Sequence, residues 1–453
     1  MSINRLLIIS RGEIAVRTVR AARDLGITSI VAHSDADADS LAVDLADEVV
    51  CLGPAHARKS YLNHDAVLAA AAKTHADAVH PGYGFLSENA EFARKVVDAG
   101  LTWVGPDPDT IARMGDKARA IATAREAGVP VVPGSNGLVP DADAAVQVAQ
   151  SIGYPVLIKA AAGGGGRGIR IAHDAGTLRT GVAEASREAE AAFGNGGVYL
   201  ERFVEHARHI EVQVLGDGTD AVHFFERDCS LQRRRQKLWE EAPAVVLDDN
   251  TRSELVASAV ALTKHVGYRG AGTVEYLYDP TTREFFFIEM NTRIQVEHPI
   301  TEEICGVDLI AAMLAIAAGD PLPWSQEHIG HRGHAIEVRI NAEDPGRGFL
   351  PSPGRVDAVT WPQGPGVRVD TMVRPGSSIP PFYDSLIGKL IVSGADRRQA
   401  LARLDRALSE VDIEGPATTV EYLRELLAHP DVQAGDVHTT WLESEFSPEG
   451  ARA

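Results

Sequence analysis

The stretch 284–298, which reads EFFFIEMNTRIQVEH, carries acidic, amide and basic side chains inside a largely apolar segment. In a strand, Glu289, Asn291 and Arg293 point to one face, because alternate residues share a face. A carboxylate in so apolar a strand costs several kcal/mol unless it is paired or metal-bound. Oxygen ligands of this kind suit Mg²⁺, and Glu275 in a neighbouring predicted strand is placed to face the same ion. The alternative is a solvated polar face on an antiparallel sheet.

Four consecutive glycines at 163–166 follow a predicted strand that ends near Lys159. Glycine tolerates positive φ, so its backbone N–H groups can fold around an anion. A P-loop is excluded because no Gly-Lys-Ser/Thr follows and the next element is a predicted strand. The run predicts a glycine hairpin that closes over phosphates, with Lys159 beside them. A flexible surface turn is the alternative.

The stretch 232–237 reads QRRRQK and places four cations within five residues of an acidic chain. A charge run of this length is usually a solvated loop. In a chain this acidic, it is also a candidate for offsetting the charge of ATP and of a small anion. We expect only one or two of these side chains to point into a cleft.

Two further polar residues lie on predicted strands. Arg339 alternates with apolar residues in AIEVRIN, and an arginine facing a cleft can stabilise a developing oxyanion. Its alternative is a surface ion pair with Glu337. His209 opens a strand whose polar face includes Glu211 and Gln213; a lone histidine of this kind is more often structural.

The bulk numbers restrict the class of protein. The 453 residues are 45% hydrophobic and 24% charged, which is typical of a globular protein with a sizeable core. The formal net charge of −19 argues against nucleic-acid partners and against an anionic membrane surface. Cys51, Cys229 and Cys305 form no Cys-x-x-Cys pair, so neither a zinc site nor a disulfide framework is expected. We expect the protein to lie in a reducing cytoplasm. No signal peptide or membrane span is predicted.

Alternating strands and helices open the chain. Leu6–Ile9 and Ser29–Ala32 are predicted strands, and Glu13–Leu25 between them has helical periodicity. This βαβ rhythm predicts a parallel sheet with helices on both faces. Because Arg11-Gly12-Glu13 stands where a Gly-x-Gly-x-x-Gly would, a dinucleotide site is disfavoured.

A proline-rich connection at 128–134 marks a boundary, after which the chain becomes rich in strands. A helix is predicted over 178–193, and the tail after Asp396 is predicted to be helical. Further strands are predicted over 154–160, 169–172, 198–204, 209–215, 272–278, 284–290 and 334–341, with 272–278 and 284–290 forming a hairpin.

Together these segments resemble biotin carboxylases of the ATP-grasp superfamily, over nearly the whole chain. The motifs that carry the resemblance are RGEIA (11–15), HPGYGFLSEN (80–89), MGDK (114–117), ERDCS (226–230), GAGTVE (270–275), the stretch 289–301 and RINAEDP (339–345). Three positions depart from the common pattern of the family: Ser10, Ala162 and Arg235.

The resemblance implies an α/β protein of the ATP-grasp fold. It would have an N-terminal doubly wound parallel-sheet domain, a mobile glycine-rich lid domain and a C-terminal mixed α+β domain. The implied division is 1–115 for the N-terminal domain, 116–204 for a linker and the lid, 205–330 for the ATP-grasp core and 331–453 for the C-terminal domain.

The resemblance also implies site residues. Glu297 would be the base that deprotonates bicarbonate, and Arg339 would stabilise the biotin enolate, near Tyr83. Bicarbonate would be held by Lys237, Arg293, Gln295, Val296 and Glu297, and Mg²⁺ (or Mn²⁺) by Glu275, Glu289 and Asn291. ATP contacts would come from Lys117, Lys159, Gly164, Gly165, Gly166, Glu201, Arg202, Val204, His209, Gln232, Glu275 and Glu289. The implied catalytic set is Arg339, Glu297, Arg293 and Lys237.

The implied activity is ATP- and bicarbonate-dependent carboxylation of biotin on a carrier protein, through carboxyphosphate. None of the five methionines adjoins a lysine, so the chain has no biotinylation motif of the family's kind. A biotin carboxyl carrier protein and a carboxyltransferase are therefore expected as separate chains, and a cytoplasmic homodimer is expected.

Two other functions stay open. A carbamoyl-phosphate synthetase-like ligase would share the metal and lid residues, and a catalytically silent subunit would bind nucleotide without turnover. The final acceptor, whether acetyl-CoA, propionyl-CoA, pyruvate or urea, also stays open.

Overall fold

The computed structural model describes residues 3–135, 137–160, 169–193 and 196–446, with side chains at 160, 169, 192 and 193 excluded. Within these ranges no helix has the length and apolar character needed to cross a bilayer. The strands are β1 (Arg5–Ile8), β2 (Thr28–Ser34), β3 (Glu48–Gly53), β4 (Ala78–His80), β5 (Thr102–Trp103), β6 (Val156–Ala160), β7 (Ile169–Ala172), β8 (Val198–Arg202), β9 (Arg208–Asp217), β10 (Ala221–Arg233), β11 (Gln236–Ala242), β12 (Arg269–Asp279), β13 (Glu284–Asn291), β14 (His334–Asn341), β15 (Glu343–Asp344), β16 (Leu350–Pro351), β17 (Gly354–Arg355), β18 (Ala358–Thr360), β19 (Val367–Thr371), β20 (Ser378–Ile379), β21 (Leu386–Gly394) and β22 (Asp412–Glu414).

Helices connect these strands and cover the sheets. They are α1 (Gly12–Asp24), α2 (Leu41–Leu45), α3 (His64–Lys73), α4 (Ala90–Asp98), α5 (Pro108–Gly115), α6 (Lys117–Glu126), α7 (Ala142–Ile152), α8 (Ala175–Phe193), α9 (Asp249–His265), α10 (His298–Cys305), α11 (Leu309–Ala318), α12 (Arg397–Glu410), α13 (Val420–Ala428), α14 (Pro430–Ala434) and α15 (Trp441–Ser444). Most of the chain after Asp396 is helical, as the sequence predicts.

The N-terminal strands form a parallel sheet of order β3-β2-β1-β4-β5. This arrangement confirms the parallel sheet expected from the βαβ rhythm. After β4 the chain turns sharply at Gly82, whose φ is +63°. A Cβ there would lie 2.6 Å from the side chain of Ser10, so only glycine fits this turn before Tyr83.

A small antiparallel sheet of order β7-β6-β8 packs against α7 and α8 through a shared apolar core. The predicted strands over 154–160, 169–172 and 198–204 are confirmed as β6, β7 and β8, each within about two residues. The predicted glycine hairpin, with Gly164, Gly165, Gly166 and the departure Ala162, lies outside the described residues.

One large antiparallel sheet positions most of the candidate site. Its order is β13-β12-β9-β10-β11-β14-β21-β19, and every neighbouring pair runs antiparallel. The predicted hairpin is confirmed as β12 and β13. The pairing of β11 with β14 carries the sheet continuously across the predicted boundary at 330/331.

The basic stretch 232–237 is the tight hairpin between β10 and β11 rather than a solvated loop. Gln232 and Arg233 end β10, Arg234 and Arg235 form the turn with φ of 48° and 67°, and β11 follows at once. Arg234 and Arg235 are exposed, whereas Gln232 is buried. Polar and apolar residues do not alternate simply with exposure along β10 and β11, because most of the polar residues of these strands are buried.

Candidate active site

Register across the large sheet brings four charged residues into one row. Arg227 on β10 pairs with Glu211 on β9, Glu211 pairs with Glu275 on β12, and Glu275 pairs with Glu289 on β13. Directly opposite residues share a face, so this row lines one side of the sheet. The next row toward one end contains Gln213, Thr273 and Asn291.

Lys237 joins three buried carboxylates on that face. Its ammonium donates to Glu211 Oε2 at 2.6 Å, to Glu275 Oε1 at 2.9 Å and to Glu297 Oε1 at 2.7 Å. Burial alone would lower the pKa of Lys237, but the three carboxylates raise it well above its ordinary value. The lysine is therefore a fixed cation at the centre of the site.

Arg339 reaches the same carboxylate from the other side. Its Nη2 donates to Glu297 Oε2 at 3.0 Å, and its Nε donates to Glu240 Oε1 at 2.7 Å. Glu240 lies on β11, the strand paired with β14, so the partners of Arg339 come from a neighbouring strand and from the segment before α10. The alternative of a surface pair with Glu337 is wrong, because Glu337 is buried and no hydrogen bond to its carboxylate appears among the described residues.

Glu297 therefore lies between two cations. Burial raises the pKa of this carboxyl, but Lys237 and Arg339 overcome that effect and hold the pKa below its ordinary value, despite the opposing charge of Glu211. Glu240 behaves differently, since burial raises its pKa more than Arg339 lowers it. Glu297 is a carboxylate at neutral pH, with one oxygen directed at each cation.

Glu211, Arg227 and Glu240 are central to this arrangement, and none of them is among the site residues predicted from the sequence. The guanidinium of Arg227 is fully buried and donates to Glu211, Gln213, Gln295, Thr273 and Thr301. The one available signal was the pattern of charged residues on buried strands, such as the ERDCS stretch.

The segment 292–297 follows β13 and carries most of the predicted bicarbonate residues. Arg293 donates to Glu88 at 2.9 Å and to Asn291 Oδ1 at 3.0 Å. Gln295 donates to Glu275 Oε1 at 2.8 Å. Of these residues, Glu297 contacts Lys237 directly, and Gln295 shares the acceptor Glu275 Oε1 with it. Val296 lies between Gln295 and Glu297, and Arg293 lies just past the end of β13.

The predicted metal ligands meet at the paired positions of β12 and β13. Glu275 is buried and accepts a hydrogen bond from Asn291 Nδ2 at 2.8 Å, whereas Glu289 is exposed. The Glu289 residue is exposed as a whole, but its carboxyl group is partly desolvated; this desolvation and the neighbouring carboxylates Glu275 and Glu88 raise its pKa. Two adjacent carboxylates that repel each other, with an amide beside them, fit a divalent cation with a preference for oxygen ligands.

His209 lies next to this pair. Its Nε2 is 3.2 Å from Glu275 Oε2 and 3.6 Å from Glu211 Oε2. Burial lowers the pKa of His209, but Glu275 and Glu211 raise it to about 9. The ligand atoms of His209, Glu211 and Glu275 all lie within 4.8 Å of one another. The carboxylates of Glu211 and Glu275 therefore each contact two cations, Lys237 and His209.

The other predicted nucleotide residues are spread around the edge of the site. Lys117 is exposed at the start of α6, and Lys159 forms an ion pair with Glu201 across β6 and β8. The side chain of Arg202 is directed toward Asp279 and Glu284. The remaining two are buried: Val204 packs in a small apolar cluster, and Gln232 donates to the carbonyl of Cys229.

Tyr83 lies on the N-terminal side of the site. Its hydroxyl donates to Glu13 Oε1, and the Glu13 carboxylate pairs with Lys389 at 3.1 Å. Tyr83 and Glu13 line a cavity of about 220 Å³ that is also bounded by Phe382 and Tyr383. The N-terminal sheet thus contributes a wall to a site built mainly on the large sheet.

Cys229 is buried and Cys51 exposed, and all three cysteines are free. The Cys229 thiol lies among Glu211 and Glu297. Burial raises the pKa of Cys229 well above its ordinary value, and the carboxylate of Glu211 raises it further. The thiol is therefore protonated and unreactive at neutral pH.

Three family models match successive parts of the chain. "Biotin carboxylase, N-terminal domain" matches residues 2–111, "Carbamoyl-phosphate synthase L chain, ATP binding domain" matches 116–325, and "Biotin carboxylase C-terminal domain" matches 337–444. Biotin carboxylase 1 of Bacillus subtilis is 50% identical over 443 residues, which are 98% of this chain and 98% of that protein.

Solved structures agree with these matches. The biotin carboxylase–β-γ-ATP complex of Campylobacter jejuni has a TM-score of 0.87 and 45% identity, over 98% of this chain and 99% of that chain. A dimeric biotin carboxylase domain of Hydrogenobacter thermophilus 2-oxoglutarate carboxylase, in complex with MgADP, ADP and bicarbonate, has a TM-score of 0.86 and 43% identity, over 100% and 99% of the two chains. These similarities confirm the expected α/β ATP-grasp fold. The chain belongs to the biotin carboxylase family.

Proposed function

We propose that this chain is an ATP-dependent ligase that carboxylates biotin on a separate carrier chain, as the first half-reaction of a biotin-dependent carboxylase. One observation carries the proposal: the Glu297 carboxylate lies between Lys237 at 2.7 Å and Arg339 at 3.0 Å. A base, an anion-binding lysine and an arginine suited to an enolate thus meet at one point. Family membership supports the same activity.

The first step is the activation of bicarbonate. Lys237 and Arg293 hold the anion, with Gln295 and Val296 beside it, and Glu297 accepts its proton. In the free site Lys237 depresses the basicity of Glu297. When bicarbonate takes up part of the Lys237 charge, Glu297 becomes more basic at the moment when a base is required.

The second step is phosphoryl transfer. A bicarbonate oxygen attacks the γ-phosphorus of ATP, the bond to ADP breaks, and carboxyphosphate forms. Lys117, Lys159 and His209 supply positive charge to the phosphates. A divalent cation held by Glu275, Glu289 and Asn291 would supply further charge compensation there. The MgADP and bicarbonate bound to the Hydrogenobacter thermophilus relative support these ligands.

The third step transfers the carboxyl group to biotin. Carboxyphosphate breaks into CO₂ and phosphate, and the phosphate accepts the ureido proton of biotin. The resulting enolate attacks CO₂ while the Arg339 guanidinium stabilises its oxygen. Tyr83 contributes to the wall against which biotin lies. Closure of the lid domain would keep water from the carboxyphosphate.

The organisation around this reaction is part of the proposal. The chain is divided at 115/116, 204/205 and 330/331 into an N-terminal domain, a linker with the lid, an ATP-grasp core and a C-terminal domain. The carrier and the carboxyltransferase are separate chains, and the enzyme is a cytoplasmic homodimer. The dimeric Hydrogenobacter thermophilus relative supports the assembly.

The test is phosphate release from MgATP and bicarbonate, with and without free biotin, using the full chain. Stimulation by biotin, abolished in Glu297→Gln, supports the proposal. Turnover that requires ammonia instead of biotin would point to the carbamoyl-phosphate synthetase-like ligase. ATP binding without turnover would point to the silent subunit.

A further inference from the structure

Three successive backbone carbonyls in the segment that carries the proposed base are each held by a side-chain donor. Arg293 Nη1 donates to Ile294 O at 3.2 Å, His298 Nδ1 to Gln295 O at 2.7 Å, and Lys389 Nζ to Val296 O at 2.8 Å. A carbonyl oxygen only accepts, so the proton of His298 is on Nδ1. A backbone segment held at three successive peptides has little freedom to reorient there.

Holding these carbonyls also fixes the amides that follow them. A trans peptide is planar, so its C=O and N–H point in opposite directions. The His298 bond therefore fixes the Val296 N–H, and the Lys389 bond fixes the Glu297 N–H. Within the described part of the chain, the Val296 N–H has no protein acceptor. An amide held in place without an acceptor is suited to an anion.

Lys389 is an unusual donor for a carbonyl because its side chain is completely buried. It lies on β21, directly opposite Arg339 on β14. A buried ammonium costs several kcal/mol unless it is paired. Its partners are Val296 O, Glu13 at 3.1 Å and Asp370 at 3.9 Å. One fixed charge, on the same face of the sheet as Arg339, thus holds the Val296 peptide.

The same ammonium also holds the opposite wall of the site. Glu13, which pairs with Lys389, accepts the hydrogen bond of Tyr83. The segment 293–297 and Tyr83 therefore share one buried cation. A displacement of Lys389 would disturb both the bicarbonate side and the biotin side.

We propose that Lys389 is a positioning residue that, together with His298, orients the amides of Val296 and Glu297 toward bicarbonate. The inference rests on the proposed function, because it assigns the anion held by this segment as bicarbonate. Neither side chain touches the reacting atoms. Their effect is on the affinity of the site for the anion and on the placement of Glu297.

Asp370 provides a matched control within the same buried charge cluster. It is 3.9 Å from Lys389, but its two oxygens accept hydrogen bonds from Arg368 at 3.1 and 2.8 Å. Asp370→Asn removes a charge next to Lys389 and leaves the bond to Val296 in place. A purely structural role of the cluster predicts that this variant and Lys389→Met behave alike.

The kinetic test compares Lys389→Met with Asp370→Asn in the full chain, by phosphate release with biotin present. Lys389→Met should raise KM for bicarbonate roughly tenfold to a hundredfold, the usual effect of removing a residue that orients a ligand-binding group. KM for MgATP should change less than about twofold, and Asp370→Asn should resemble the wild type. An unchanged KM for bicarbonate, or an equal rise for both substrates, would overturn the proposal.

A second variant keeps the inference testable if Lys389→Met does not fold. His298→Leu removes the other donor, and His298→Asn retains an amide donor. Hydrogen exchange of peptides covering 293–298 should be faster in His298→Leu than in His298→Asn. Equal exchange in the two variants and the wild type would contradict the positioning role. This readout needs no turnover, so it distinguishes failure of the inference from failure of the proposed function.

Discussion

Glu275 and Glu289 face each other across β12 and β13, yet the Glu275 carboxylate is buried and that of Glu289 is exposed. Glu289→Gln should raise the Mg²⁺ concentration for half-maximal activity at least roughly tenfold. It should leave the free energy of unfolding within about 0.5 kcal/mol of the wild type, because an exposed site tolerates the change. Glu275→Gln should instead cost about 1–3 kcal/mol, since the Lys237 ammonium loses a buried anionic acceptor.

Activity titrated with Mg²⁺ and urea unfolding together check this pair of variants. A fall in the stability of Glu289→Gln equal to that of Glu275→Gln would show that the carboxylate of Glu289 is a structural group. An unchanged Mg²⁺ requirement would remove Glu289 from the metal site.

Arg339→Ala should lower biotin carboxylation by about two to three orders of magnitude while ATP binding persists, because the enolate loses its stabilising cation. Incorporation of labelled bicarbonate into biotin and calorimetric ATP binding measure the two effects. Arg170→Ala is the control, since Arg170 pairs with Glu184 and Glu188 away from the large sheet. Normal carboxylation by Arg339→Ala would refute the role.

Glu240→Gln tests the carboxylate that orients Arg339. Gln keeps an acceptor oxygen but loses the charge that pairs with the guanidinium at 2.6 Å. We expect kcat to fall roughly tenfold to a hundredfold, because a small displacement of a catalytic group has effects of this size. KM for MgATP should stay near that of the wild type. A variant with full kcat would show that Glu297 alone places Arg339.

The strands that carry the candidate metal ligands were predictable because their local sequence signals are strong. The apolar strand that holds Glu289 and Asn291, and the hairpin partner that holds Glu275, follow from period-2 alternation, and the structure brings all three together. The predictions for Lys237 and Arg339 relied on the resemblance, since the local sequence alone favours solvated positions for both.

What the sequence could not reveal depends on the register between distant strands. Glu240 becomes the partner of Arg339 only because β11 pairs with β14, and the sequence alone offered Glu337 instead. Arg227 lies opposite Glu211 because of the register between β9 and β10, which includes an irregularity and is not set by either strand alone. The proposed role of Lys389 depends on its hydrogen bond to the carbonyl of Val296, which lies 93 positions earlier in the chain. No periodicity within a single segment encodes such pairs.

Glu241 provides a pH test of stability outside the reacting centre. Its carboxylate accepts hydrogen bonds from Arg397 at 2.7 Å and lies 2.9 Å from His334 Nε2. Burial raises the pKa of Glu241, but His334 and Arg397 lower it well below its ordinary value. Its contribution is therefore complete above the unfolded pKa of about 4.5 and is lost as the pH falls toward the folded value.

Urea unfolding of the wild type and Glu241→Gln at several pH values measures this contribution. The variant should be less stable by about 1–3 kcal/mol at pH 7. The difference should narrow below about pH 4.5, where the unfolded chain takes up a proton that folded Glu241 resists. A difference that does not narrow between about pH 4.5 and pH 3 would contradict the depressed pKa.

The ladder between β11 and β14 has a consequence for dissecting this protein into fragments. A cut near 330 would leave each piece with one bare strand edge: β11, still paired with β10, on one piece, and β14, still paired with β21, on the other. Bare strand edges recruit other chains, so the separate pieces are expected to aggregate or to recombine with each other. The protein is therefore better suited to reconstitution from co-expressed halves than to the study of either half alone.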